Sequence, residues 1–294
     1  MRNFILGTDW CEDCDDAVAV RVLCRMIKAK KINLCCIAIN VCTDVSVTSL
    51  DGFLVKEGCD GIPIGIDTEA TYFNNGLYQP RLSKYAKNYK SNADAENALR
   101  LYRRILSEAD EPIEIIEIGF LQVIGDLLES KPDDISELSG LELVKQKVAK
   151  FWIMAGRWDI DGGHEYNFDK TPRSRYGGHT LCEKSPVPIT FLGFEVGEPV
   201  ISGENLKEGD HLYDVLCDYW GTHKGRSSWD PLTALLAVIG DEKEAGYDCV
   251  CGTASVDEDT GANHFKVCDN GLHKYVVKTK SDAFYTDMVN RIIE

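Results

Sequence analysis

Ten residues near the start of the chain, from Gly7 to Asp16, read Gly-Thr-Asp-Trp-Cys-Glu-Asp-Cys-Asp-Asp and place five carboxylates within eight positions. They are Asp9, Glu12, Asp13, Asp15 and Asp16. Carboxylates packed this closely repel one another and need a cation, bound protons or full hydration. Around a hard cation they form an oxygen-only ligand set, and beside one a spare carboxylate can take a proton from water. A solvated acidic loop is the competing reading, because charge runs usually lie on the surface. The cluster follows the apolar run Phe4-Ile5-Leu6 and precedes Ala17-Val18-Ala19-Val20. It therefore falls where a first strand gives way to a first helix. Open α/β sheets bind ligands at the carboxyl ends of their strands.

Three later segments carry groups of a related kind. Ile115-Ile116-Glu117-Ile118-Gly119 reads as a strand ending in glycine. Trp152-Ile153-Met154-Ala155-Gly156 ends in the same way and is followed by Glu165-Tyr166-Asn167. Trp229-Asp230-Pro231 sets an acid at the mouth of an apolar helix. Proline at the first helical position also makes Asp230 a candidate N-cap, a purely structural role. Cys11-Glu12-Asp13-Cys14 matches half of a zinc-binding pattern, and no second pair or spaced histidines complete it.

The elements that must position these groups alternate. Flat apolar runs predict strands at 4–6, 34–41, 62–66, 113–118, 151–154, 189–194 and 248–251. Helices are predicted at 15–29, 47–57, 92–107, 121–128, 137–147 and 231–238. In 92–107 the stripe of Leu99, Tyr102 and Leu106 sets Arg100, Arg103 and Arg104 on an outer face. Strand–helix alternation predicts one α/β domain over residues 1–294, a mostly parallel open sheet with helices on both faces. The segments 157–176 and 197–229 are polar and predict long ordered loops.

Composition narrows the function. A formal charge of −16 argues against nucleic acid as a partner. No apolar run approaches the roughly 20 residues that span a bilayer, so no membrane partner is expected. An acid at Asp9 interrupts any signal-peptide core, which predicts a cytoplasmic protein whose twelve cysteines are reduced.

Taken in chain order, these pieces resemble the nucleoside hydrolase family of the inosine–uridine preferring type, over nearly the whole chain. That family opens on D-T-D-x-G-x-D-D, sometimes lengthened to D-T-D-x-G-x-D-x-D-D, and the run from Thr8 to Asp16 is similar to the longer form. Ile153–Gly156 and Glu165-Tyr166-Asn167 resemble its V-M-G-G and E-F-N segments, and Asp230 its late helix-opening acid. The resemblance implies hydrolysis of the N-glycosidic bond of a small-molecule nucleoside with Ca2+ as cofactor. It implies Asp9, Asp16, Asp230 and the backbone carbonyl of Ile118 as metal ligands, and Asp15 as general base. Glu165 and Asn167 correspond to ribose contacts, as do Asp44 and Asp159 where the family carries asparagines. A homodimer or homotetramer is implied as well.

Five positions depart from the pattern. Gly7 replaces the family's first Asp, Cys11 its motif glycine, and the two Asp residues at 44 and 159 replace amides. Trp229 stands where many members carry a histidine that protonates the leaving base. Stacking on Trp229, Trp220, Tyr72, Phe73 or Tyr78 is one substitute, and a proton from His164, His211 or His223 is another. These changes keep a second reading open, a metal-dependent protein that binds a ribosyl ligand or cleaves a different one. A phosphatase with an aspartyl nucleophile is disfavoured, since Gly7 occupies the nucleophile's place.

Overall fold

The computed structural model describes residues 1–294. Twelve strands run in chain order: β1 Arg2–Thr8, β2 Ile32–Ile39, β3 Ile64–Ile66, β4 Glu96–Asn97, β5 Ile113–Glu117 and β6 Val148–Met154. There follow β7 Ile189–Leu192, β8 Ile201–Ser202, β9 Arg226–Ser227, β10 Tyr247–Val256, β11 Asn263–Val267 and β12 His273–Lys278. Ten of them form one sheet in the order β11-β10-β12-β7-β6-β5-β1-β2-β3-β4. Pairing is parallel from β12 to β4, and β10 runs antiparallel to both β11 and β12.

The apolar strands are flat in hydropathy because the sheet is buried on both sides. Along β1, Phe4 and Leu6 join one core cluster while Ile5, between them, joins the other. The first cluster packs α1 (Asp15–Lys28), α2 (Ser46–Glu57), and the later helices α10 (His211–Trp220), α11 (Trp229–Ile239) and α12 (Asp282–Ile293). The second packs α4 (Ala98–Glu108), α5 (Gln122–Glu129), α6 (Gly140–Lys147) and α8 (Pro172–Lys184). Short turns complete the count, α3 (Gln79–Leu82), α7 (Tyr166–Asp169) and α9 (Phe194–Gly197). No helix is long and apolar enough to cross a membrane.

The differences from the sequence reading have local causes. The helix expected over 92–107 starts at Ala98, because Asn92–Asp94 forms a tight turn and Glu96–Asn97 adds to the sheet edge. The helix expected at 137–147 begins at Gly140, where Ser139 and Glu142 form a capping box. Arg103 is not on a solvated face. Its side chain is 1% exposed and bonds Asp133 at 2.8 Å and Ser130 Oγ at 2.7 Å. The polar stretch 157–176 ends in the first turn of α8, which Thr171 caps ahead of Pro172. The stretch 197–229 contains α10, flanked by β8 and β9, which pair antiparallel. All twelve cysteines are free thiols.

A buried ionic cluster ties α10 to the core. Arg21 on α1 bonds Glu57 of α2 at 2.5 Å and Asp210, the α10 N-cap, at 2.7 Å, with His211 Nε2 at 2.8 Å from Glu57. Removing one partner of such a cluster leaves the other charge buried and alone. Arg21→Met should therefore lower the unfolding free energy by about 3–5 kcal/mol in urea titrations. A loss under about 1 kcal/mol, the scale of a surface pair, would show that the cluster is incidental.

Candidate active site

β1 ends at Thr8 and the acidic turn begins. Trp10 sits in that turn at φ 46°, a left-handed conformation that a bulky residue adopts only when its surroundings enforce it. Here the enforcement is visible. The indole is fully buried, donates from Nε1 to Ser49 Oγ at 2.9 Å, and meets Phe53 and Tyr78 edge-on. Gln79 Nε2 donates to the Trp10 carbonyl, and Tyr78 OH donates to the Asp13 carbonyl at 2.8 Å. The turn is thus held from below by a tryptophan and from the side by α3.

The chain then enters α1 with Asp15 and Asp16 in its first turn. Asp230 lies in the first turn of α11, which packs against α1, so two helix N-termini and their positive dipole ends face the same carboxylates. Ser228 holds the cap position of α11, so Asp230 is not the N-cap that the following proline suggested. Its backbone N–H donates to Asp15 Oδ2 at 3.2 Å. Ligand oxygens of Asp15, Asp16 and Asp230 lie within 4.8 Å of one another, and all three residues are buried. Asp16 Oδ1 accepts from Thr8 Oγ1 and from the Trp10 N–H at 3.3 Å.

These carboxyls line a cavity of about 410 Å³ together with Asp9, Ile118, Glu165, Asn167 and Trp229. Burial first, then the neighbouring Asp13 and Asp15 charges, pushes Asp9 up to about 7. Burial followed by the charges of nearby aspartates likewise raises Asp15, Asp16 and Asp230. Glu165 is pushed up to about 7, again chiefly by burial. Its carboxylate accepts from the Asn167 and Gly156 N–H groups at 3.0 Å, while Asn167 Nδ2 donates to the Met154 carbonyl at 2.9 Å and to the Ile118 carbonyl at 3.3 Å. These bonds join α7 to the ends of β5 and β6. The donor set is all oxygen, partly anionic and poorly hydrated, which suits a hard cation of high coordination number.

Two expected sugar contacts lie elsewhere. Asp44 is exposed and accepts from Asn75 Nδ2, and Asp159 is exposed and pairs with Arg157 at 2.9 Å. The polar residue that β2 delivers toward the site is Asn40, buried just beyond the strand's end. Of the aromatics considered for stacking, only Trp229 lines the cavity, where Phe194, Tyr166 and Tyr219 join it. His164, His211 and His223 do not line it. Asp13, left without a role by the sequence, is paired with Arg226, Nε to Oδ1 at 2.8 Å. Arg226 also lies over the Trp229 ring at 4.9 Å, and Phe194 stacks on that ring at 5.3 Å. Phe194 was legible as the end of a predicted strand. Tyr219 and Arg226 carried no local signal.

No family model matches this chain, nor does any curated protein sequence. Solved structures do. An inosine-uridine preferring nucleoside hydrolase from Bacillus anthracis superposes with TM-score 0.69 at 14% identity, covering 100% of this chain and 99% of that one. A purine-preferring ribonucleoside hydrolase from Gardnerella vaginalis gives 0.70 at 16% identity over 99% and 98% of the two chains. The type III effector protein XopQ, complexed with adenosine diphosphate ribose, gives 0.65 at 14% identity over 99% and 92%. The chain has the fold of these solved structures, two of them ribonucleoside hydrolases, along its whole length.

The raised carboxyls set a pH dependence. A group held above its ordinary value of 3.8 in the folded chain favours folding at low pH, and that contribution is lost as pH rises toward the folded value of about 7. A cation bound among these carboxyls would reverse the loss. In thermal melts at about pH 8, millimolar Ca2+ should raise Tm over chelated protein by roughly 5 °C or more, and by much less at about pH 5. Equal melting with and without Ca2+ at the higher pH would contradict a cation site.

Proposed function

We propose that the protein hydrolyses the N-glycosidic bond of ribonucleosides, releasing ribose and the free base, with Ca2+ held by the carboxylate cluster. One observation carries the reading: the carboxylates converge at the strand ends of a fold that matches ribonucleoside hydrolases end to end. Asp15, Asp16 and Asp230 would hold the ion, with the Ile118 carbonyl and Asp9 beside them. When bound, Ca2+ supplies positive charge that makes water easier to deprotonate.

The protein's own groups divide the remaining work. Asp15 sits within the compact trio of ligand oxygens, which favours it as a ligand. Asp9 lies outside that trio and lines the cavity, where a carboxylate beside the ion can take a proton from water. The geometry therefore favours Asp9 as the proton acceptor over the Asp15 assignment that the motif implied. Glu165 and Asn167 face the cavity with acceptor and amide groups suited to a vicinal diol. The departing base leaves among Phe194, Tyr219 and Trp229. A guanidinium already over Trp229 opposes stacking of a protonated purine on that ring, and Arg226 instead offers positive charge toward a departing anion.

The test is release of ribose from inosine, adenosine, uridine and cytidine, with and without chelator. Turnover of at least one nucleoside, abolished by chelation, is expected. Asp9→Asn should cut turnover about 10²–10⁴-fold while Ca2+ binding measured by calorimetry survives, and Asp15→Asn should lose Ca2+. The reverse pattern returns the base role to Asp15. No release from any nucleoside, with adenosine diphosphate ribose bound intact, would replace hydrolysis by the ribosyl-ligand reading.

A further inference from the structure

We propose that Glu117 is a positioning residue whose carboxyl takes the place of a side chain at position 7, and that this pair sets the Ile118 carbonyl and the Asp9 backbone for Ca2+. The inference rests on the reading of the cluster as a Ca2+ site. β1 and β5 are adjacent and parallel, and their register puts Gly7 directly opposite Glu117. A Cβ built on Gly7 would lie 1.9 Å from Glu117 Oε2 and 2.4 Å from its Cδ. The Glu117 carboxyl therefore fills the space of a residue-7 side chain. Gly7 is not among the glycines with positive φ, so space alone, not backbone conformation, requires it.

The carboxyl is fully buried, yet it is not idle. Oε1 accepts from Asn40 Nδ2 at 2.8 Å and from the Gly119 N–H at 3.2 Å. Asn40 Oδ1 in turn accepts from the Phe120 N–H at 3.0 Å, and the Asn40 carbonyl accepts from Gln122 Nε2 at 2.6 Å. These bonds clamp residues 118–120, so the direction of the Ile118 carbonyl is set from beneath. The same turn presses on the acidic one, since a Cβ at Gly119 would lie 2.3 Å from the Asp9 nitrogen. Glu117 Oε2 has no hydrogen-bond partner. An apolar side chain of similar size would fill the volume without burying an unpaired oxygen. What such a chain would lack is the acceptor that holds Asn40 and Gly119.

A double-mutant cycle tests the exchange, read by Tm of chelated protein and by Ca2+ affinity in calorimetry. Glu117→Ala should weaken Ca2+ about tenfold, and Glu117→Gln, which keeps an acceptor for both N–H donors, should stay within about threefold of the parent. Gly7→Asp alone should lower Tm by roughly 10 °C, because it overlaps Glu117. Adding Glu117→Ala to Gly7→Asp returns a carboxyl to the same space from the other strand. The double variant should melt above Gly7→Asp and bind Ca2+ within about threefold of the parent. Should Gly7→Asp prove insoluble, Gly7→Ala with and without Glu117→Ala gives the same comparison of Tm. Additive losses in the double variant, or parental Ca2+ affinity in Glu117→Ala, overturn the proposal. A parent that binds no Ca2+ overturns the metal reading instead, and the Tm cycle still decides whether the two positions exchange.

Discussion

Burying several carboxylates in one crevice costs free energy twice, through lost hydration and through mutual repulsion, and the architecture around β1 is organised by that cost. Asp9, Asp15, Asp16 and Asp230 all converge where β1, α1 and α11 meet. Each is held above the ordinary carboxylate range, and burial is the largest cause for every one. Asp15, Asp16 and Asp230 stay buried, and Asp9 is only partly exposed. Partial compensation comes from two helix N-termini, from the Thr8 and Trp10 donors on Asp16, and from Arg226, whose charge opposes the rise at Asp15.

Rigidity is the second half of the arrangement. The acidic turn carries a tryptophan in a left-handed conformation, wedged into the core and bonded to α2 through Ser49. α3 holds the turn's carbonyls through Gln79 and Tyr78. The turn after β5 is clamped from below by Glu117 and Asn40, and from above by Asn167. Oxygens placed by four separate segments, β1, α1, the β5 end and α11, thus keep fixed relative positions without relying on one flexible loop. Such pre-placement lets a site bind an ion or a transition state with little reorganisation.

How much of this was legible in the sequence depended on how local the cause was. The β1–turn–α1 unit was legible because strand, acids and helix are contiguous. The parallel pairing was legible from strand–helix alternation, and the order of the strands was not. β11 and β12 were not foreseen, since half-exposed antiparallel strands lack the flat apolar signature of buried ones. α10 hid in a polar stretch because its stability comes partly from Arg21, 189 residues away from Asp210. Asp13 was unexplained for a similar reason: its partner Arg226 is 213 residues distant. Asp44 was expected in the site because it follows the second strand, but the chain has already turned outward there. Asn40, just beyond the strand's end, stays buried and bonds Glu117 rather than lining the cavity.

The central claim is that these carboxylates form one Ca2+ site in the cavity they line. Crystals grown with Ca2+ and soaked with ribose, followed by anomalous difference maps, test it most directly. The account predicts one strong peak per chain, within about 2.3–2.6 Å of oxygens from Asp15, Asp16, Asp230 and the Ile118 carbonyl, with sugar hydroxyls against Glu165 and Asn167. An ion bound elsewhere, or no peak among these oxygens at saturating Ca2+, would contradict it.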